Sequence, residues 1–244
     1  MKPQRDAYCF HSMKLPRHIV IIPDGNRRWA KNNGKLSFFG HKEGAETTKK
    51  ILEKAVKLNI SYLTFWGCSI NNVTKRPLLE TNFLFKVLEQ YFKKVTTDKT
   101  IHQTQVKINV LGRWEELFPE KTKNQIRKAM KATEKYDQFM LTFLLAYSGT
   151  DEMIEAVRKI TNAKKKPPLI DGELIKNNLW THNLPPVDLV IRTGGEPHWS
   201  AGLMMWDVAE AGLHFTKTLW PDFSTEEFES VIGTYGKTER RFGK

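Results

Sequence analysis

Three short stretches of the sequence place acidic, amide or guanidinium side chains directly after apolar runs. The first of them, which follows the β-branched run His18–Ile22, is Asp24-Gly25-Asn26-Arg27-Arg28-Trp29. Asp24 could hold a magnesium ion and Arg28 could clamp a phosphate, because carboxylates bind Mg²⁺ and guanidinium forks bind phosphate oxygens. A simpler interpretation stays open, in which Asp24 or Asn26 only caps a helix and the arginines are solvated.

The other two stretches also follow apolar runs. Residues 67–77 form a polar segment behind the run 62–66 and carry Arg76, and Arg192-Thr193-Gly194-Gly195-Glu196 follows the run 187–191. Paired glycines allow a ligand to approach the backbone, and Arg192 offers two parallel donors. Capping residues in the second stretch and a simple Gly-Gly turn in the third are the alternatives. Together the three stretches predict sites for a polyanion.

The elements that must position these residues alternate between strands and helices. Apolar runs predict strands at His18–Ile22, 62–66, Val106–Leu111, 140–146 and 187–191. Helical spacing predicts helices over 40–58, 83–95, 121–135 and 151–161, and Ser224 with Glu227 forms a capping box for a last helix. This alternation predicts an α/β protein with a single domain, in which helices flank a central, mostly parallel sheet. The carboxyl ends of parallel strands, where the three stretches lie, are the usual ligand-binding edge.

Composition narrows the functional classes further. The 244 residues carry a formal charge of +12, which favours an anionic partner. Basic residues are spread over helix faces and no nucleic-acid-binding module is present, so we expect no nucleic-acid partner. The sequence contains no GxxxxGK[ST] loop, no GxGxxG after a strand and no GxSxG elbow, which argues against nucleotide-binding and serine-hydrolase sites.

Cysteine content and the amino-terminal residues suggest a location. There are two cysteines, without metal-ligand spacing, and there is no apolar run of membrane-spanning or signal-peptide length. We expect a cytoplasmic protein, peripheral at a membrane if it contacts one, with a loose tail at 1–15 and one domain at 16–244.

Six ordered motifs resemble those of the cis-prenyltransferases, the undecaprenyl diphosphate synthase family. The resemblance runs from about His18 to the end of the chain. Its motifs are Asp24-Gly25-Asn26-x-Arg28-Trp29, Gly40-His41, Arg76-Pro77, Asp188 to Glu196, Trp220-Pro221-Asp222-Phe223 and Arg240-Arg241-Phe242-Gly243.

The resemblance implies that isopentenyl diphosphate condenses with an allylic diphosphate, such as farnesyl diphosphate, to give a cis-polyprenyl diphosphate such as undecaprenyl diphosphate. It also implies a magnesium-dependent homodimer, and an apolar tunnel for the growing chain lined by the helix over residues 83–95. Asp24 would be the central catalytic carboxylate and the magnesium ligand, with Asn26 beside it as a catalytic residue. The resemblance assigns the remaining substrate-binding positions to Gly25, Arg27, Arg28, Trp29, His41, Ser69, Asn72, Arg76, Arg192, Ser200 and Arg241. Among these, Arg192 and Ser200 would bind isopentenyl diphosphate, and Arg241 would complete the neighbouring subunit's site.

The sequence departs from the family pattern at three places. Ser69-Ile70-Asn71-Asn72-Val73 stands for Ser-x-Glu-Asn-Trp, and Pro197-His198-Trp199-Ser200 stands where Arg-x-Ser is usual. Gly212 occupies the position of a Glu that helps to hold magnesium in many members, and Asp207 or Glu210 could replace it. A divergent active enzyme is our interpretation, and a non-catalytic diphosphate-binding or partner subunit of the same fold is the alternative.

Overall fold

A computed structural model describes residues 14–164, 167 and 169–237, and the sheet at its centre has six parallel strands. They are β1 (His18–Ile22), β2 (Tyr62–Ser69), β3 (Val106–Leu111), β4 (Phe139–Tyr147), β5 (Leu189–Arg192) and β6 (Gly212–Phe215). Their order is β3-β4-β2-β1-β5-β6. The predicted α/β class is therefore confirmed, and the sheet also contains a strand, β6, that was not predicted.

The helices cover both faces of the sheet. They are α1 (Asn26–Asn32), α2 (Ser37–Lys57), α3 (Ile70–Thr74), α4 (Leu78–Val95), α5 (Lys99–Gln103), α6 (Trp114–Leu117), α7 (Glu120–Ala132), α8 (Gly149–Thr161), α9 (Gly172–Asn178) and α10 (Thr225–Lys237). A 3₁₀ turn at Trp220–Asp222 precedes α10. No helix in these described ranges has the length and apolarity that crossing a membrane requires.

Strand β1 can lie at the centre of the sheet because each of its side chains is either apolar or hydrogen-bonded to other buried groups of the protein. All five residues are buried, and His18, the polar one, bonds to the Pro185 carbonyl and the Thr64 hydroxyl through its two ring nitrogens. The strand pairs with β2 on one side and β5 on the other. The chain leaves β1 toward α1 and α2 and leaves β5 toward β6, so a crevice opens between the two strand ends.

The larger core lies between the sheet and the helices α2, α4, α7 and α10. Ile51 and Leu52 of α2 and Leu84 and Phe92 of α4 belong to this core. Between α2, α4 and α5 there is a cavity of about 190 Å³. Its apolar wall, at the position expected for a prenyl-chain tunnel, is formed by Phe38, Ala45, Leu52, Phe83, Val87, Tyr91, Val95 and Ile101. Charged side chains also line this cavity, including an ion pair of 3.0 Å between Lys49 and Asp98, so its lining is not purely apolar.

Candidate active site

Other residues hold Asp24 at the carboxyl end of β1 by hydrogen bonds to its backbone carbonyl. Its carbonyl oxygen accepts a bond of 2.8 Å from the Thr193 hydroxyl and one of 2.9 Å from the Trp220 amide. The next residue, Gly25, has a φ of 107°, in the left-handed region that favours glycine. A Cβ on Gly25 would also lie 2.8 Å from a methyl carbon of Leu219. The backbone therefore fixes Asp24, and its carboxylate remains free to interact with other groups.

Two guanidiniums flank that carboxylate. Arg192 Nη2 donates to Asp24 Oδ2 at 3.1 Å, and Arg28 Nη2 lies 3.3 Å from Oδ1. Gly194, with a φ of 88°, allows this approach, because a Cβ there would overlap the Arg28 guanidinium. The side chain of Asp24 is 33% exposed, so a ligand can reach it. We call Asp24, Arg28, Arg192 and Glu196 the carboxylate-paired cluster.

Arg192 connects that cluster to the loop that follows β5. Its side chain is 5% exposed, and Nη1 donates to the His198 carbonyl oxygen at 2.8 Å and to Ser200 Oγ at 2.5 Å. Nη2 also lies 3.5 Å from Glu196 Oε2. Its buried Nε has no hydrogen-bond partner among the described residues. Arg192 and Ser200, both predicted to bind isopentenyl diphosphate, are thus in contact.

A second group of cations lies beside the first. Arg27, His41 and Arg76 interact electrostatically, and we call them the cation cluster. Burial, followed by the charges of Arg76 and Arg27, lowers the pKa of His41 to about 4. Burial and then Arg27 also lower the pKa of Arg76. Glu80, 3.4 Å from Arg27, partly offsets this positive charge.

Ser69 and Asn72 form hydrogen bonds to the backbone of the segment that leads to Arg76. The Asn72 amide donates to Ser69 Oγ at 3.1 Å, and the Ser69 amide donates to Asn72 Oδ1 at 3.2 Å. This reciprocal capping box begins α3 and directs the chain toward the cation cluster. The predicted substrate-binding roles of these two residues stay predictions.

Asn26 and Trp29 lie on the α1 side of the site. The Asn26 amide nitrogen donates to the Pro23 carbonyl at 3.2 Å, whereas its buried Oδ1 has no partner among the described residues. A Cβ on Gly44 of α2 would overlap that oxygen, so glycine permits this helix contact. Trp29 Nε1 donates to Asp222 at 2.7 Å, and Lys35 lies over its ring, so Trp29 braces α1.

Asp207, which the sequence offered as a replacement for a missing magnesium ligand, has its carboxylate paired with other residues of this chain. Asp207 is buried, it is ion-paired with Lys176, and its other oxygen accepts a bond from Thr181. Its carbonyl accepts from the Val187 amide, near the amino end of β5 and away from Asp24.

Gly212 also lies toward the amino ends of the strands. It pairs with Leu189, which in turn pairs with Ile19, whereas Asp24 follows the carboxyl end of β1. Parallel strands rise about 3.3 Å per residue, so Gly212 is set back from the carboxyl edge by about 10 Å. The glycine therefore removes no carboxylate from beside Asp24 within one chain. Arg241 lies outside the described residues.

Sequence reasoning passed over three contributors to the site. Glu196 appeared only as part of a motif, yet it contacts Arg192, four residues earlier. His198 appeared only as a departure from the family pattern, yet its ring nitrogens face Ser200 and Glu196. The third is Glu80, in the first turn of α4, whose contact with Arg27 joins residues 53 positions apart and has no spacing signal in the sequence.

Asp24 is suited to a magnesium site that it shares with a bound ligand. The described residues contain no cluster of three or more His, Cys, Asp or Glu side chains that could form a closed metal cage. Mg²⁺ at phosphate sites is commonly held by one or two carboxylates, phosphate oxygens and water. A partly exposed carboxylate between two guanidiniums, which are groups suited to phosphate oxygens, fits that chemistry.

The fold and this site define an α/β protein with paired guanidinium and carboxylate groups at the carboxyl edge of its parallel sheet. A family model described as "Putative undecaprenyl diphosphate synthase" matches residues 22–243. The chain belongs to this family, the cis-prenyltransferases, and the resemblance expected from the sequence is confirmed.

Characterised relatives cover nearly the whole chain. A tritrans,polycis-undecaprenyl-diphosphate synthase (geranylgeranyl-diphosphate specific) of Pyrococcus horikoshii is 38% identical over 98% of this chain and 92% of its own length. A ditrans,polycis-undecaprenyl-diphosphate synthase ((2E,6E)-farnesyl-diphosphate specific) of Yersinia pseudotuberculosis is 35% identical over 100% of this chain and 96% of its own.

A solved structure shares the fold. The lavandulyl diphosphate synthase of Lavandula x intermedia, in complex with dimethylallyl diphosphate, superposes with a TM-score of 0.85. It is 28% identical to this chain, and the match covers 94% of this chain and 99% of that one.

Proposed function

We propose that this chain is a magnesium-dependent cis-prenyltransferase that condenses isopentenyl diphosphate with an allylic diphosphate to give a cis-polyprenyl diphosphate. The observation that carries this proposal is the contact of the Asp24 carboxylate with both Arg28 and Arg192 in the crevice between β1 and β5. The cation cluster adjoins this carboxylate, because Asp24 acts electrostatically on Arg76. A cavity with an apolar wall and two groups of cationic side chains suit two diphosphates with apolar tails.

The cation cluster is suited to the allylic diphosphate. His41 is followed in α2 by Lys42, which lines the cavity, and Phe83 of α4 lines the opposite wall. An allylic tail in the cavity would therefore place its diphosphate near His41 and Arg76. Negative charge grows on that diphosphate as its bond to C1 of the allylic group breaks, and the nearby cations stabilise this charge.

Arg192 and Ser200 are suited to the diphosphate of isopentenyl diphosphate. In the reaction, the electron pair of the isopentenyl double bond forms a new bond to C1 of the allylic group. The allylic diphosphate departs with the electrons of the broken C–O bond, and a proton is lost from the isopentenyl unit. Arg192 fixes the isopentenyl diphosphate by its buried guanidinium, so the double bond is held in one orientation.

Asp24 is the residue that would hold Mg²⁺ between the two halves of the site. When bound, the metal supplies positive charge to the departing diphosphate. Arg28 and Arg192 keep the Asp24 carboxylate oriented toward the crevice through the contacts described above. Its partial exposure leaves the carboxylate accessible to a metal ion.

A homodimer is a further part of the proposal. Strand β6 is the last strand of the sheet in the described part of the chain, and its Leu213 and Phe215 are exposed. Ile154 and Val157 of α8 and Trp206 are also exposed apolar residues. A second copy of the chain would cover such a surface, and Leu213→Lys should then shift the mass measured by light scattering toward the monomer.

We also propose a cytoplasmic protein that contacts membranes peripherally. Leu78 and Leu79 at the start of α4 are 79% and 86% exposed. Leu36 and Phe39 are also exposed, and they lie next in sequence to Lys35 and to Phe38, which lines the cavity between α2, α4 and α5. Together with the net charge of +12, this surface suits an anionic bilayer that receives the lipid product.

Vesicle sedimentation tests this contact directly. Replacing Leu78 and Leu79 by serine should reduce sedimentation with anionic vesicles, whereas serine at Leu169 and Ile170, which are also exposed, should not. Equal sedimentation of both double variants and the wild type would contradict the membrane contact.

The alternative of a non-catalytic partner subunit rested on Gly212. Because Gly212 is set back from Asp24 in its own chain, that position does not disable the carboxylate-paired cluster directly. The intact contacts of Asp24 with Arg28 and Arg192 favour an active enzyme.

Incorporation of labelled isopentenyl diphosphate into solvent-extractable product tests the function. The assay contains Mg²⁺ and, in separate reactions, geranyl, farnesyl or geranylgeranyl diphosphate, since the relatives described above are named for different primers. Product from the wild type that is lost in Asp24→Ala and retained in Asp137→Asn, a control at an exposed aspartate, would support the transferase. Absence of product with all three primers would support the non-catalytic alternative.

A further inference from the structure

The segment that joins β5 to β6 has no regular secondary structure of its own. Residues 193–211 form neither a helix nor a strand, and they include Ser200, which contacts Arg192. The Leu203 amide donates to the Ser200 carbonyl at 3.0 Å, so a turn links Ser200 to the residues that follow. The position of Ser200 therefore depends on such turns and on contacts of the segment with other elements.

Two backbone hydrogen bonds attach this segment to the end of β4 and the start of α8. The Gly149 amide donates to the Ala201 carbonyl at 2.9 Å, and the Met204 amide donates to Tyr147 Oη at 3.1 Å. The approach is so close that a Cβ on Gly149 would lie 1.7 Å from the carbonyl oxygen of Gly202.

Backbone strain is concentrated around these contacts. Ala201 and Met204 have φ values of 49° and 43°, and Ala146, which precedes Tyr147, has a φ of 48°. Residues with a Cβ adopt this left-handed region at a cost, and they stay there only where the surrounding structure holds them. In the described ranges, the other two non-glycine residues with a positive φ follow the ends of helices, where this conformation is common: Asn59 after α2 and Gln105 after α5.

A buried pair of side chains supplies the hold on Met204. Tyr147 and Glu152 are 0% and 3% exposed. The Tyr147 hydroxyl donates to Glu152 Oε2 and accepts from the Met204 amide, while Glu152 Oε1 accepts from the Thr181 amide at 2.8 Å. Because Glu152 takes the hydroxyl proton, a lone pair of the tyrosine oxygen is directed at the Met204 amide.

We propose that Tyr147 and Glu152 are positioning residues for isopentenyl diphosphate, which keep Ser200 beside Arg192 by holding Ala201 and Met204 in the left-handed backbone conformation. This inference rests on the proposed function. Both side chains act through the Met204 amide and not by contact with the substrate. Without them, the segment relaxes toward ordinary φ values and Ser200 leaves Arg192.

Tyr147→Phe removes the hydroxyl and tests this role by steady-state kinetics with Mg²⁺ and a saturating allylic diphosphate. The KM for isopentenyl diphosphate should rise about tenfold, as expected for one lost hydrogen bond, while kcat stays within about threefold. The KM for the allylic diphosphate should stay within about twofold, because the cation cluster holds that substrate. Equal losses of affinity for both substrates would overturn the proposal.

Thr133→Val is the matched control. Thr133 is also fully buried, and its hydroxyl accepts a bond of 3.0 Å from the Ile108 amide, between α7 and β3. Both variants should lower Tm, but this control should leave the KM for isopentenyl diphosphate unchanged. Glu152→Gln, whose amide cannot accept from both the Tyr147 hydroxyl and the Thr181 amide, should give a smaller rise of about threefold. An equal rise in Thr133→Val would overturn the proposal.

Glycine at a strained position provides a rescue, because glycine adopts a positive φ without the cost that a Cβ brings. Ala201 is exposed, so its methyl group contributes little packing. Ala201→Gly, added to Tyr147→Phe, should recover at least about threefold of the lost affinity for isopentenyl diphosphate. Asn59→Gly, at an exposed left-handed residue outside the segment, should recover none. Equal results from the two additions would overturn the proposal.

Measurements without turnover separate this inference from the proposed function. Amides in residues 200–208 should exchange hydrogen for deuterium faster in Tyr147→Phe than in the wild type or Thr133→Val. Calorimetric titration with isopentenyl diphosphate and Mg²⁺ alone should show about tenfold weaker binding in Tyr147→Phe. These results, combined with an absence of product in every assay, would support the positioning role while the proposed function fails. Unchanged affinity in Tyr147→Phe, or no binding by the wild type, would overturn the proposal.

Discussion

The two groups of cations at the carboxyl edge of the sheet differ in how their charge is balanced. In the carboxylate-paired cluster, Asp24 contacts both Arg28 and Arg192, and Glu196 contacts Arg192 a second time. In the cation cluster, Arg27 and Arg76 repel each other and, after burial, disfavour the charged form of His41, and Glu80 offsets this charge only in part. The first group is electrostatically satisfied without a ligand, whereas the second is not.

This difference in charge balance implies that the two substrates are bound in different ways. An anion that enters the cation cluster relieves repulsion at once, so it needs no metal to bind there. An anion that enters the carboxylate-paired cluster must compete with Asp24 for the guanidiniums, unless a divalent cation occupies Asp24 first. We therefore expect magnesium to affect the isopentenyl diphosphate site more than the allylic site.

The largest effect should follow the loss of the Asp24 carboxylate. Asp24→Asn keeps the size of the side chain but removes the charge that pairs with Arg28 and Arg192 and that we propose as the Mg²⁺ ligand. We expect kcat to fall by about 10³-fold or more, the loss expected for a group that organises transition-state charge. The measurement is the steady-state rate at saturating substrates. A decrease of less than tenfold would mean that the carboxylate-paired cluster is not the reacting centre.

The next largest effect should come from Arg192→Lys. A lysine ammonium keeps the charge but cannot reproduce the bonds that Arg192 makes to Asp24, Ser200 and the His198 carbonyl. We expect kcat/KM for isopentenyl diphosphate to fall by about 100-fold, while the Kd of an unreactive allylic diphosphate analogue stays within about threefold. Equal losses for both ligands would show that the two clusters act as one site.

A smaller effect should follow Arg76→Gln, which removes one member of the cation cluster. We expect about tenfold weaker binding of an unreactive allylic diphosphate analogue, in line with a charge-assisted hydrogen bond. Binding of the analogue should persist in EDTA in the wild type and in the variant, because Glu80 offsets the positive charge of this cluster only in part. Complete loss of wild-type binding in EDTA would contradict the contrast between the clusters.

Much of this arrangement could be predicted from the sequence because it depends on strand ends. The buried run of β1 and the apolar run before Arg192 identified two parallel strands, and parallel strands end at the same edge of a sheet. Asp24 and Arg192, which are 168 residues apart, could therefore be expected near each other without knowledge of the strand order.

Other features could not be predicted because they depend on distant or weakly patterned residues. Strand β6 is short, begins with a glycine and is only partly buried, so its sequence gives no strand signal. Because β6 was not predicted, the sequence could not show where Gly212 lies relative to Asp24. The burial of Asp207 depends on Lys176, 31 residues away, and the low pKa of His41 depends in part on Arg76 on another element.

The smallest effect should appear in the stability of the protein and arises from His41. Its folded-state pKa of about 4 lies below the unfolded value near 6.5, so below pH 6.5 the unfolded chain binds a proton that the folded chain does not. The wild type should therefore lose stability relative to His41→Gln as the pH falls from 7.5 to 5.5, by about 1 kcal/mol, or about 2–4 °C in Tm. An allylic diphosphate analogue should reduce this loss, because a bound anion raises the pKa of His41. A Tm difference that is the same at both pH values, with and without the analogue, would show that His41 is not held neutral by the cation cluster.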